Sequence, residues 1–181
     1  PGYKLMTEAE TILFFRKNLF AFELKYFRPL GNPTKFISGM LQHFSRLKDE
    51  DVNPSQYLVW VNAECRMSNA ELNENKEELE KYQELAKAYR IYEELKVKEG
   101  VADYADLISG ALKLFRTRKQ ILARYQQQFK YLLIDEFQDT NFAQNELAIL
   151  LAGERQNITV VGDDDQAIYR WRGAAVSNII Q

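Results

Sequence analysis

The 181 residues carry a formal net charge of -2 and are 46% apolar and 13% aromatic, which suits one medium globular domain or two small ones and excludes a disordered chain. Cys65 is the only cysteine, so an internal disulfide and a thiolate metal cluster are excluded and a reducing, cytosolic setting fits. No apolar run approaches the ~20 residues that cross a bilayer, no basic-then-apolar signal-peptide pattern is read in these residues, and the near-neutral charge leaves nucleic-acid binding to be judged from local patterns.

Taken in order, the chain reads first as a series of helices. Thr7 followed by Glu10 is a capping-box spacing, and Ala9, Ile12, Leu13, Phe15 and Leu19 give an amphipathic helix from Thr7. Pro29, Gly31, Asn32 and Pro33 break the pattern. Phe36, Ile37, Met40, Leu41, Phe44 and Leu47 recur at three and four, predicting a helix from Thr34 to about Lys48. A third is expected from Ser55 to about Met67. Asn69 to Glu99 lacks Gly and Pro and is rich in strong helix formers. Its stripe of Leu72, Leu79, Tyr82, Ala86 and Tyr89 admits a coiled-coil seam or an antiparallel hairpin within the chain, with Gly100 as the stop. Asp103 is the expected cap of a helix with Tyr104, Leu107, Ile108, Ala111, Leu112 and Phe115 on its apolar face, and a further helix is expected from about Lys119 to Gln128.

A β-α-β passage follows. Tyr131 to Ile134 is a short apolar run, Thr140 or Asn141 caps a helix closed by Gly153, and Ile158 to Val161 is a second apolar run. One more helix is expected over Ala174 to Ile180. Runs this short and apolar suit a parallel sheet covered on both faces, whose ligands gather beyond the carboxyl ends of the strands. The expected fold is thus α/β and predominantly helical, with a subdomain boundary near Gly100: residues 1–100 helical, 101–181 carrying the sheet. Because the chain opens at Pro1 without an initiator Met and stops at Gln181 inside an apolar pattern, both ends are expected to be cut from something longer.

The chemistry gathers at the two strand ends. Asp135 and Glu136 follow the first run; two carboxylates there can divide the tasks of binding a metal and orienting or deprotonating a water. Alone, such a pair reads more readily as a strand leaving for solvent. Asp163, Asp164 and Asp165 at the second strand end repel one another unless solvated, capped or near a cation, and Gln166 can donate to a phosphate oxygen and accept from water. Tyr169 and Trp171, interleaved with Arg170 and Arg172, suit base stacking and phosphate contact as well as they suit a packed core. Between Asp106 and Asp135 the only charges are cationic, among them Lys113, Arg116, Arg118, Lys119, Arg124 and Lys130; such a segment is a phosphate track or a solvated helix face. No G-x-x-x-x-G-K-[ST] loop occurs, so a complete P-loop nucleotide site cannot be built from these residues. His43 is the only histidine, which excludes a His-based zinc site.

Together, IDEFQDTN and VVGDDDQAIYRWRGA closely resemble the second and third motifs of UvrD/Rep/PcrA-type superfamily 1 DNA helicases. The resemblance is strong over 131–178 and looser through Asp103 to Leu107. It implies a partial RecA-like ATPase domain over 101–181 and the family's all-helical insertion subdomain over 1–100. It also implies roles: Asp135 as the Mg²⁺ ligand of a Walker B motif, Glu136 as general base, Gln166 as sensor of the γ-phosphate, Tyr169 and Trp171 against single-stranded DNA, and Arg172 linking the nucleotide and DNA sides. Gln138 and Asp139 would support the site through hydrogen bonds. The implied cofactors are ATP and Mg²⁺. The implied partners are single-stranded DNA, single-strand/duplex junctions and the remaining domains of a parent helicase, 3′–5′ in polarity and cytoplasmic. Lacking the phosphate loop and a second RecA-like domain, the chain alone is expected to be inactive and able to self-associate. The alternatives are the helicase part of a recombination helicase–nuclease, and a non-catalytic DNA-binding or interaction module with a vestigial nucleotide site.

Overall fold

The computed structural model describes residues 2–68 and 76–163. Leu72, the helix expected over Ala174 to Ile180 and the whole stretch from Asp164 onward lie outside the described residues. The fold is mostly helical with two small parallel sheets, and the chain divides into two compact units: 1–45 with 52–104, and 46–51 with 105–181.

The first unit opens with β1 (Lys4–Leu5) and α1 (Glu8–Lys17). Thr7 and Glu10 form the expected capping box: Thr7 Oγ1 accepts the Glu10 N–H at 3.3 Å, and Glu10 Oε2 accepts the Thr7 N–H at 2.9 Å. Lys4, 2.7 Å from Glu10, and the Thr7 donors hold the Glu10 carboxyl down at about 2. A 3-10 turn (Leu19–Phe22) follows, then α2 (Ile37–Asp49), α3 (Pro54–Ser68), α4 (Lys76–Glu99) and β2 (Val101–Ala102). Pro54 at the first helical position of α3 supplies a preset φ where its missing N–H is not needed. Gln83 of α4 reaches Cys65, Tyr82 meets Trp60, and Tyr89 Oη donates to the Val52 carbonyl. From Gln83 beside Cys65 to Tyr89 beside Val52, just ahead of α3, the partners run backwards along the chain, as in the antiparallel pair that the stripe admitted.

The core of this unit is aromatic. Phe15 and Phe22 stack at 4.0 Å between ring centroids, and Phe44 stacks on Tyr89 at 5.0 Å. Truncating a buried Phe of this kind costs about 3–5 kcal/mol. Lys96 is only 2% exposed, yet its ammonium meets Glu93 and Asp103 at 2.8 Å each, with the Tyr92 hydroxyl also donating to Asp103. A buried cation of this kind tolerates burial only because it is paired. α5 begins at Ala105, so the expected cap Asp103 stands one residue ahead of the capping position and turns a carboxylate oxygen toward Lys96. Among the described residues of this unit the strands are β1 and β2, which pair in parallel as Lys4 with Val101 and Leu5 with Ala102. Strands of two residues show no period of two in the sequence, so they leave no signal there.

The second unit contains α5 (Ala105–Thr117), α6 (Lys119–Gln128), β3 (Leu132–Ile134), α7 (Phe142–Ala152) and β4 (Ile158–Val160). Among the described residues, Leu112, Phe115, Leu122 and Ala143 are its buried apolar residues. β3 and β4 pair in parallel with Leu133 opposite Thr159, so α7 lies on the crossover that parallel strands require. The strands are not buried on both faces as expected. Leu132 and Ile134 are half-buried while Leu133 between them is 79% exposed, so among the described residues one face of this sheet is open. No helix among the described residues is long and apolar enough to cross a membrane.

Candidate functional site

The site is the carboxyl end of the β3–β4 pair. The ladder continues past the strands: Val161 N–H donates to the Ile134 carbonyl at 2.8 Å and Phe137 N–H to the Val161 carbonyl at 2.9 Å. Asp135 and Glu136 therefore leave the sheet at a fixed place, and both are exposed. Glu136 adopts a left-handed backbone, φ 52° and ψ 41°, which turns the chain out of β3 into a 3-10 turn over Phe137–Asp139. For a residue other than Gly this conformation costs about 1–3 kcal/mol and is tolerated where the surroundings hold it. Here the Asp135 carboxylate accepts the Glu136 N–H at 3.0 Å, and the Asp139 N–H returns to the Glu136 carbonyl at 2.9 Å.

Gln138 is 1% exposed and joins the two strand ends. Its Nε2 donates to Glu136 Oε2 at 2.6 Å, and its Oε1 accepts the backbone N–H of Asp163 at 2.9 Å. Gly162 makes room for it: a Cβ there would stand 2.6 Å from Gln138 Oε1.

Behind this edge α7 is anchored by its own cap. Asn141 and Gln144 form a capping box, and Asn141 Nδ2 also donates to Asp49 Oδ1 at 2.8 Å. Burial, with Glu50 adding repulsion, pushes the Asp49 carboxyl up to about 6. Thr140 Oγ1 donates to the Phe137 carbonyl at 2.7 Å, closing the turn before the helix. Arg116 ties α5 to its neighbours through Asp51 and through Glu146, 2.9 Å away, and both partners raise its pKa. Of the cations singled out in the acid-free segment, Arg116 is thus ion-paired; Lys113, Arg118, Lys119, Arg124 and Lys130 are exposed.

The donors at the strand ends are hard carboxylate oxygens, the set that suits Mg²⁺. Asp139 Oδ1 is buried with no hydrogen-bond partner among the described residues, and Asp135 offers a second oxygen beyond the one that takes the Glu136 N–H. These residues fit a divalent cation. Of the residues singled out in the sequence, Asp135 and Glu136 lie together and Gln138 links Glu136 to Asp163; Gln166, Tyr169, Trp171 and Arg172 lie outside the described residues. The role of Gly162 was missed, although a Gly directly after an apolar strand is a known sign of close backbone approach.

Among the described residues this is a mostly helical protein with small parallel sheets, one of which ends in an acidic pair at the crossover to a helix. Residues 7–181 match the UvrD/REP helicase N-terminal domain family, and the chain belongs to it. The ATP-dependent DNA helicase PcrA of Leuconostoc citreum is 50% identical over 97 residues, 53% of this chain and 13% of that protein. DNA helicase II of Haemophilus influenzae is 46% identical over 96 residues, 53% of this chain and 13% of its own length. ATP-dependent DNA helicase Rep of Salmonella typhimurium is 44% identical over 95 residues, 52% of this chain and 14% of its own length. The aligned part of the chain thus spans about an eighth of these curated relatives.

Proposed function

We propose that this chain is part of an ATP-dependent DNA helicase, cytoplasmic and 3′–5′ in polarity, that couples ATP hydrolysis to movement on single-stranded DNA and to duplex unwinding. The observation that carries the reading is the strand-end geometry. Asp135 and Glu136 leave β3 side by side, and Glu136 is held by Gln138 against the end of β4. The family match supports it. Residues 1–100 are read as the helical insertion subdomain and 101–181 as part of a RecA-like ATPase domain.

In this reading Asp135 would hold Mg²⁺, and the buried Asp139 carboxylate would support the site. Bound Mg²⁺ would neutralise charge on the phosphate oxygens of ATP. The Glu136 carboxylate orients the attacking water and takes its proton. The roles proposed for Gln166, Tyr169, Trp171 and Arg172 rest on the sequence motif: Gln166 would sense the γ-phosphate, Tyr169 and Trp171 would contact single-stranded DNA, and Arg172 would link the nucleotide and DNA sides. The phosphate loop would come from the rest of the same RecA-like domain in the parent chain and the second RecA-like domain from elsewhere in it, so the 181-residue chain alone is expected to turn over no ATP.

The test is DNA-stimulated ATP hydrolysis by the full-length protein. Wild type is expected to hydrolyse ATP, Glu136→Gln to lose about 10²–10⁴-fold in kcat, and the 181-residue chain to show no turnover. Wild-type rates in Glu136→Gln, or robust metal-dependent turnover by the isolated chain, would sink the assignment.

A further inference from the structure

We propose that Gln138 is the positioning residue of this site: one end of its amide aims the Glu136 carboxylate, and the other fastens it to the backbone at Asp163. The inference rests on reading Glu136 as the base for ATP hydrolysis. Three observations carry it. The side chain is almost fully buried, yet its Nε2 donates to the carboxylate of an exposed residue. Its Oε1 simultaneously accepts from Asp163, 25 positions further along the chain. Gly162 leaves the space this needs, since a Cβ there would meet Gln138 Oε1 at 2.6 Å, Gln138 N at 3.2 Å and Phe137 N at 3.3 Å.

The chemistry fixes which way the amide points. An ionised carboxylate can only accept, and a backbone N–H can only donate, so the NH₂ must face Glu136 and the oxygen must face Asp163. An Asn is one methylene shorter. A Glu would set a second carboxylate against Glu136, and a Met would fill the volume without bonding either partner. Glu136 also sits in a left-handed backbone, so its side chain direction is not set by the strand. The amide supplies the direction that the strand does not. Because the same amide grips Asp163, a shift of the chain there moves the carboxylate of Glu136. In sequence Asp163 stands three residues before Gln166, so the segment proposed to sense phosphate begins at this grip.

The test compares ATP hydrolysis by the full-length wild type with Gln138→Met and Gly162→Ala. Each variant is expected to lower kcat by about 10–100-fold, the usual effect of losing a residue that orients a reacting group. The KM for ATP should stay within about twofold, because binding is not what the amide serves. Gly162→Ala should cost less in a Gln138→Met background than in wild type, because the 2.6 Å clash with Oε1 is gone and only the contacts with the backbone nitrogens of Gln138 and Phe137 remain, so the two changes are not additive.

A second measurement needs no turnover: hydrogen exchange at the Asp163 amide of the 181-residue chain. That amide is expected to exchange faster in Gln138→Met than in wild type, while amides of α5 and α7 are unchanged. Wild-type kcat in Gln138→Met, or unaltered exchange at Asp163, would overturn the inference. If the wild-type protein hydrolyses no ATP, the proposed function fails, and the exchange measurement still decides whether Gln138 binds the two strand ends together.

Discussion

Asp49 shows how a single side chain sets a pH dependence in the second unit. Burial raises its carboxyl from 3.8 to about 6. Between those values the folded chain binds more protons than the unfolded chain, so this group's contribution is fully present below about pH 4 and is lost as pH rises to about 6. Asp49→Asn keeps the oxygen that accepts from Asn141 and removes the charge that burial disfavours. The variant is expected to melt higher than wild type at pH 7, by under about 1 kcal/mol once the partial exposure of the group is allowed for. Its melting temperature should also vary less between pH 4 and pH 6. A variant that melts no higher at pH 7 would refute the assignment. The motif singles out Asp135, Glu136 and Gln138 in the sequence, and the structure sets them at one strand end. It does not reveal Asp49, whose environment is made by a helix cap 92 positions away.

Helix starts are the most legible elements because their signal is local. The Thr7–Glu10 box is readable from its spacing, and Asn141, one of two candidates, is the cap that forms. Asn53 with Gln56 forms a comparable box ahead of α3: Asn53 Oδ1 accepts two backbone N–H groups at 3.0 Å, and Gln56 returns a bond to the Asn53 N–H. From the sequence this helix is expected to begin at Ser55, past Pro54 and the Asn53 cap. Strands fared less well. β1 and β2 are too short to carry a pattern, and β3 alternates in burial although its sequence is uniformly apolar. At this scale Asn141→Ala is expected to destabilise the chain by about 1–2 kcal/mol, since it removes both the cap and the bond to Asp49. Urea titration would show it as a lower midpoint at unchanged slope; an unchanged midpoint would refute the role.

Across the whole molecule, the change from helices to a β-α-β passage was legible, and the two units divide after Tyr104. The assignment of residues 46–51 to the second unit was not, because it depends on contacts such as Lys48 with Asp106 and Arg116 with Asp51 that connect distant stretches. The second unit exposes Tyr131, Leu133, Val160 and Val161 around its small sheet. Exposed apolar side chains beside an unpaired strand edge favour pairing with another copy. The purified 181-residue chain is therefore expected to self-associate as its concentration rises, and Leu133→Lys to reduce this in sedimentation velocity. A chain that stays monomeric throughout would refute the expectation.

The left-handed backbone at Glu136 sets folding and chemistry at odds over one codon. Glycine is the residue that this conformation favours, and it would relieve the local strain while removing the carboxylate. On the proposed reading, Glu136→Gly is expected to raise the unfolding midpoint of the chain while removing the base for hydrolysis, so a screen for stability and a screen for turnover would favour opposite residues at this one position.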